Sequence, residues 1–245
     1  MKLNFLFILL ILLYCTKKQT EDKNKPITIT KTSTTKKNGS IDTLNPNTEI
    51  LETFTDSSKI GDKGKCKIEL IKHRVFDNTY VIVKFYTKGP KYWYIQNTYL
   101  YECDALMGLA PNISDFNNDK LNDITFISAT AARGSNEVRR LFIYDDYEKK
   151  LISIVNSQDY PNMLYNKELD CLDAFMIHGG SSTVFARIKG DSLKEFASVH
   201  NDNYRTVHEI DKFGIERLLR KDTIINPENI YIRYINYKPL KEYKE

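Results

Sequence analysis

From about Gly64 onward, short runs rich in Val, Ile, Tyr and Phe alternate apolar with polar positions and are broken by turn residues. A period of two is what antiparallel strands show when one face lies on a core. "CKIELIKH", "TYVIVKFYT" and "KYWYIQNTYLYE" predict three strands, turning at "FDN" and "KGP". "DITFISAT", "RRLFIYD" and "KLISIV" predict three more, with "YDDYEKK" as a hairpin. "LDAFMIH", "TVFARIK", "LKEFASVH", "YRTVHEID" and "GIERLLRK" predict a last group that turns at "KGD", "NDN" and "DKFG". Helical periodicity is poor outside "DYPNMLYN". The expected fold is all-β over residues 63–245, mainly antiparallel. It should hold roughly ten strands as blade-like hairpins in two sheets side by side.

The pattern is different before that point. "MKLNFLFILLILLY", residues 1–14, carries Lys2 and then an unbroken apolar run from Phe5 to Tyr14, followed by Cys15. Such a run is short for a bilayer span and suits the apolar region of a secretory signal peptide. A Cys at its end resembles the bacterial lipobox, which implies cleavage before Cys15 and lipidation of that thiol. Leu12 and Leu13 match the pattern, whereas Tyr14 stands where a small residue is usual. An ordinary signal peptide cut elsewhere, or an uncleaved anchor, is the other reading. From Thr16 to about Asp62 the chain is Lys, Thr, Asn, Ser and Asp with few apolar residues, too polar to offset its ordering entropy. Residues 15–62 are therefore expected to be a lipidated Cys with a disordered linker that reaches roughly 35–40 Å. The protein should lie in the periplasm or at the cell surface, held to the outer or inner membrane by its lipid.

Composition narrows the partners. With 245 residues, 41% of them hydrophobic, the chain can bury one sizeable core. Its formal charge of +4 is spread along the length with no basic stripe interleaved with aromatics, so no nucleic-acid partner is expected. If Cys15 carries lipid, Cys66, Cys103 and Cys171 remain in a compartment that permits disulfides. One pair and one free thiol are expected. All three pairings stay open, with Cys66–Cys103 favoured because both flank one group of strands. No CxxC or Cys/His spacing suits zinc.

"DFNNDKLNDITF" concentrates candidate chemistry. Asp115, Asn117, Asp119 and Asp123 occupy positions 1, 3, 5 and 9 of a loop, with the Leu121 carbonyl at position 7. Hard oxygens at that rhythm can converge on Ca²⁺, which offsets the repulsion between the carboxylates. Position 6, usually Gly, is Lys120, and Phe126 leaves no distal bidentate Glu. The alternative is an Asp/Asn-rich turn whose side chains cap backbone amides without metal.

"DFNNDKLNDI" resembles the calcium loop of FG-GAP and VCBS repeats. The longer stretch through "ITFISATAARGSNEVRRLFIYDDYEKKLISI" is similar in layout to bacterial periplasmic lipoproteins of the VCBS-like lysozyme-inhibitor group. The resemblance implies a membrane-anchored protein that binds and inhibits a cell-wall hydrolase by inserting a loop into its cleft. An immunity protein against a delivered toxin would use the same geometry. For the inserted loop we select Arg133, Gly134, Ser135 and Asn136, with Ser181 and Ser182 as a second patch. A calcium-stabilised surface lipoprotein that binds or degrades glycan is the alternative. No catalytic residues are assigned. "HGGSS" lacks the G-x-S-x-G elbow of esterases and reads as a hairpin turn. His73, His200 and His208 show no metal-ligand spacing, and the carboxylate pairs drawn from Asp145, Asp146, Glu168, Asp170 and Asp173 are non-specific. The aromatics of "KYWYIQNTYLYE" could form a sugar-stacking platform but more often pack across strands.

Overall fold

Each alternating run becomes a strand beside its sequence neighbour, and the result is three consecutive meanders. A computed structural model describes residues 48–226 and 230–243. The apolar run 1–14, Cys15 and the linker as far as Asn47 lie outside the described residues. The first sheet joins β1 (Thr48–Asp56), β2 (Cys66–Val75), β3 (Asn78–Lys88) and β4 (Trp93–Glu102) in chain order, all antiparallel. The second joins β5 (Asn112–Ser114), β6 (Asp123–Ala131), β7 (Asn136–Asp145) and β8 (Lys150–Ser153) in the same way. The third runs from β9 (Leu164–Asn166) and β10 (Cys171–Ile177) through β11 (Ser181–Lys189), β12 (Ser192–Asn201) and β13 (Tyr204–Ile210) to β14 (Glu216–Thr223). A small hairpin, β15 (Tyr234–Tyr237) and β16 (Leu240–Glu242), follows.

The side-chain period explains how the sheets stack. Along β7, Phe142 and Tyr144 point to a core shared with Phe85, Tyr99 and Val83 of the first sheet. Leu141 and Ile143 point the other way, to Leu172, Ala186 and Leu193 of the third. Along β10 and β11 the alternation repeats, because Cys171 and Phe185 face Tyr234 of the terminal hairpin. The second sheet is thus covered on both faces, and β7 reads as a run of apolar residues rather than a clean alternation. Arg233 of the C-terminal segment fastens the last layer. Its Nε donates to Asp173 Oδ1 at 2.7 Å, while Asn166 Nδ2 donates to Asp173 Oδ2 at 3.0 Å.

The all-β class is as expected, and the structure corrects several details. Folded chain is present before residue 63, because β1 pairs with β2 from Thr48 opposite Val75 to Asp56 opposite Ile68. None of the side chains of β1 is fully buried, so its composition is that of a linker. There are three main sheets rather than two. "DYPNMLYN" is not helical: a 3-10 turn at Ser157–Asp159 leads into the extended β9, and no α-helix occurs among the described residues. Cys66, Cys103 and Cys171 are all free thiols. Register forbids the Cys66–Cys103 pair: Cys66 lies opposite Thr87, whereas the Cys103 amide bonds to the Thr79 carbonyl at the far end of β3. That separation is roughly 27 Å, far beyond disulfide reach.

Candidate functional site

The loop between β5 and β6 winds tightly on its own side chains. Asp115 Oδ1 accepts from the amides of Asn117 (3.2 Å) and Asp119 (3.3 Å), and Oδ2 accepts from Lys120 N at 2.8 Å. Asp119 Oδ1 accepts from Leu121 N at 2.8 Å, and its Oδ2 accepts from Asn117 Nδ2 at 2.8 Å. Asn118 and Lys120 both take left-handed backbone, with φ of 61° and 72°, so the turn usually given to Gly is made here by Lys120. Asp123 differs from the other three. It is fully buried, and its oxygens accept from Phe116 N (2.8 Å) and Tyr144 N (2.9 Å), tying the loop to β7. Burial pushes its carboxyl up to about 7 against the pull of those two amides, and the charges of Asp119 and Asp115 add to the rise.

This disposition sets what a cation would meet. Among the described residues, no three His, Cys, Asp or Glu side chains are gathered as a metal site. The four oxygen-bearing side chains all accept amide hydrogens, so a hard cation would use their remaining lone pairs and the Leu121 carbonyl. The all-oxygen set and the winding of the loop suit such an ion. The direction of Asp123, toward two strands rather than the loop's centre, does not.

The turn from β6 to β7 sits at the other end of the second sheet. Three consecutive residues, Ala132, Arg133 and Gly134, have positive φ of 49°, 57° and 92°. Left-handed backbone at Ala and Arg costs about 1 kcal/mol or more each and persists only where the surroundings impose it. Two asparagines impose it. Asn136 is buried; its Nδ2 donates to the Ile177 carbonyl at 2.8 Å and its Oδ1 accepts from Ile177 N at 2.9 Å, so the side chain imitates a strand partner for β10. Asn162 donates through Nδ2 to the carbonyls of Ser135 (3.0 Å) and Phe175 (2.8 Å), and its Oδ1 accepts from Glu137 N at 2.9 Å. From Ala131 to Ser135 the turn is exposed, with the Arg133 side chain at its tip.

The predicted contact residues therefore separate. Arg133, Gly134 and Ser135 are presented to solvent. Asn136 is not a contact residue, because both ends of its amide are spent on Ile177. Ser181 and Ser182 are not a surface patch either: they are buried in β11, with the Ser181 hydroxyl donating to the Ile230 carbonyl. The clamp residue Asn162 escapes sequence reading, since it lies in the one stretch with helical spacing; its only signal is that Asn tolerates the φ of 53° it adopts.

Ser182 also lies in a line of histidines. Its Oγ is 2.9 Å from His178 Nε2 and 2.8 Å from His200 Nδ1, and His200 Nε2 is 3.0 Å from Ser198 Oγ. Gly180 N–H donates to His178 Nδ1 at 3.2 Å, which leaves the proton of neutral His178 on Nε2. His178 then donates to Ser182, and Ser182 donates to His200. In a hydrolytic triad, the serine donates to a histidine whose other nitrogen donates to a carboxylate. His200 turns its second nitrogen to a serine hydroxyl. His178, whose Nδ1 lies 3.5 Å from Asp202 Oδ1, takes the Gly180 amide hydrogen on that nitrogen and faces a Ser182 buried in β11, so "HGGSS" has the structure of a hydrogen-bonded hairpin. Burial holds His200 below the usual histidine range, with His208 the next cause.

No family model matches the chain, and no curated protein matches it in sequence. Among solved structures, one titled "Structure of a Xanthomonas Type IV Secretion System related protein" is similar at 11% identity and a TM-score of 0.44. The match covers 69% of this chain and 100% of that one. A likeness of that degree bears on neither fold nor function.

Proposed function

We propose that the protein is a secreted lipoprotein, held by Cys15 at the periplasmic or outer surface, that neutralises a cell-wall hydrolase by occlusion. An immunity role against a delivered toxin is the same act on a different target. The observation that carries the proposal is the β6–β7 turn: an exposed arginine on a strained bend whose base is locked by Asn136 and Asn162. A rigid scaffold that holds a loop in an unfavourable conformation has its ordering cost met before binding. A guanidinium presented in this way can donate two parallel hydrogen bonds to a carboxylate. Cell-wall muramidases carry paired catalytic carboxyl groups in an open cleft, and Arg133 would enter there with Ser135 beside it. The calcium loop belongs to this proposal as a brace: Asp115, Asn117, Asp119 and the Leu121 carbonyl would hold the ion, which supplies only charge neutralisation.

Inhibition of a panel of muramidases and amidases by the purified protein tests the reading. Stoichiometric inhibition is expected, and Arg133→Ala should weaken it at least thirtyfold, since truncating one partner of a desolvated charge pair costs about 2–5 kcal/mol. The melting temperature should not move. Inhibition that survives the substitution rejects the turn as the contact. Failure to bind any hydrolase, together with turnover of a glycan, rejects the proposal as a whole. Fatty-acid labelling that persists in Cys15→Ser would reject the anchor.

A further inference from the structure

The β3–β4 hairpin is chemically unlike the rest of the chain. Between Asn78 and Tyr101 there is no carboxylate, although the chain has 32 Asp and Glu in all, and the same stretch carries Lys84, Lys88 and Lys91. Its tip is also aromatic and exposed: Tyr92 is 71% exposed, Tyr94 52% and Ile95 56%. These rings are held in place. A Cβ at Gly89 would fall 2.0 Å from Tyr94 Cε2, so the Tyr94 ring lies directly on the Gly89 backbone and turns its other face outward. Gly89 N donates to the Tyr92 carbonyl at 2.8 Å, closing the tip. Trp93 sits between two ammonium groups, with Lys67 Nζ at 5.8 Å and Lys88 Nζ at 5.9 Å from its ring centre.

We propose that this hairpin tip is a membrane-contact surface that rests Tyr92, Trp93, Tyr94 and Ile95 in the headgroup layer of an anionic bilayer, with Lys88 and Lys91 on the lipid charges. Tyr and Trp favour that layer because one end of each ring system is apolar and the other polar, and lysine stems extend through it to place the ammonium at the phosphates. A bilayer fits better than a sugar. Reading sugar hydroxyls needs free amides and carboxylates, and those nearby are engaged: Gln96 Nε2 donates to Thr87 Oγ1 at 2.7 Å, and Glu69 takes Lys67 at 2.6 Å and the Tyr86 hydroxyl. Of the acids at this end of the fold, Asp62 is paired with Lys65 at 2.9 Å and Asp146 with Lys149, while Asp56 is turned onto the amides of Ser58, Lys59 and Ile60. The acidic loop before β6 sits at this same end, bonded through Asn122 to Lys59 (2.9 Å) and Gly61 (2.8 Å) of the β1–β2 loop, and the carboxylates of Asp115 and Asp119 are taken up by the loop's own amides. The surface does not depend on the hydrolase reading, and the β6–β7 turn lies at the opposite end of the strands.

Trp93 is the one tryptophan of the chain, so its fluorescence reports this tip whatever the N-terminal segment does. The full chain is mixed with vesicles of phosphatidylcholine containing about a third phosphatidylglycerol, and with vesicles of phosphatidylcholine alone. With the anionic vesicles, Trp93 emission should shift to the blue and be quenched by lipids brominated near the headgroup. Lys88→Gln and Lys91→Gln should each weaken the tip's contact about fivefold, and raised salt should weaken it further. Tyr92→Ser, at an exposed position, should reduce the shift without changing the melting temperature. Unshifted, unquenched Trp93 emission in protein that nonetheless sediments with the vesicles would overturn the proposal. So would a Trp93 response to soluble cell-wall glycan in place of vesicles.

Discussion

Replacing Asn136 by Ala tests whether the β6–β7 turn is held as described. The side chain supplies both partners of one residue in the neighbouring sheet, donating to the Ile177 carbonyl at 2.8 Å and accepting from its amide at 2.9 Å. Alanine leaves both main-chain groups without protein partners. A stranded buried group costs about 1–3 kcal/mol, and because Ile177 is half-buried, water recovers part of this, giving about 2–4 kcal/mol for the pair. For a folded region of this size, that lowers the melting temperature by about 5–15 °C. Calorimetry on the full chain measures the shift. Asn162→Ala should cost a similar amount, because it frees the Phe175 and Ser135 carbonyls and the Glu137 amide at the base of the same turn. The two losses should not add, since both act on one clamp, and a coupling of at least about 0.5 kcal/mol is expected from the double variant. A loss below about 0.5 kcal/mol for Asn136→Ala, or strict additivity, would refute the clamp.

Asp123 predicts a pH dependence opposite to that of most carboxylates. With its folded value raised to about 7 from 3.8, the folded chain holds this proton more tightly than the unfolded one. Its stabilising contribution is full below about pH 4 and is lost as pH climbs to about 7, by up to about 4 kcal/mol. The stability difference between wild type and Asp123→Asn should narrow or change sign across that window, and a constant difference would refute the assignment. Calcium should raise the melting temperature, and Asp119→Ala should abolish that rise; an unchanged rise would remove the loop as its site. His200 works in the other direction: with its folded value lowered, its contribution is present above about pH 6.5 and is lost as pH falls, so His200→Asn should flatten the acid side of the stability profile. Alkylation of the unfolded, unreduced chain followed by mass mapping should label Cys66, Cys103 and Cys171, and a protected Cys66–Cys103 pair would contradict the register of β2 and β3.

Strands whose alternation is set by a core are legible from residue types alone. β2 and β3 follow from Val, Ile, Leu, Phe and Tyr at every second position, and β6 and β7 from apolar runs that are buried on both faces. β1 escapes because an edge strand with no fully buried side chain, bulged between Ile50 and Glu52, has the polarity of a tether. β5 and β9, with three residues each, are too short to establish a period. The acidic loop shows the same limit in chemistry. That Asp115 and Asp119 wind the turn is local and follows from their spacing. The direction of Asp123 depends on Tyr144, whose amide arrives from another strand. Small polar residues mislead most: Ser181 and Ser182 after a Gly pair suggest an open turn, yet the partners that bury them, Ile230 and His200, come from distant parts of the chain.

The chain-order stacking of the sheets bears on how the protein is made. Every strand of the three sheets pairs with the strand before or after it, so contact order is low for an all-β chain and little loop entropy is spent before each pairing is rewarded. A polypeptide that emerges N-terminus first from the ribosome could close its first sheet while the third was still extended. The aggregation-prone interval of exposed edges would then be limited to one sheet at a time.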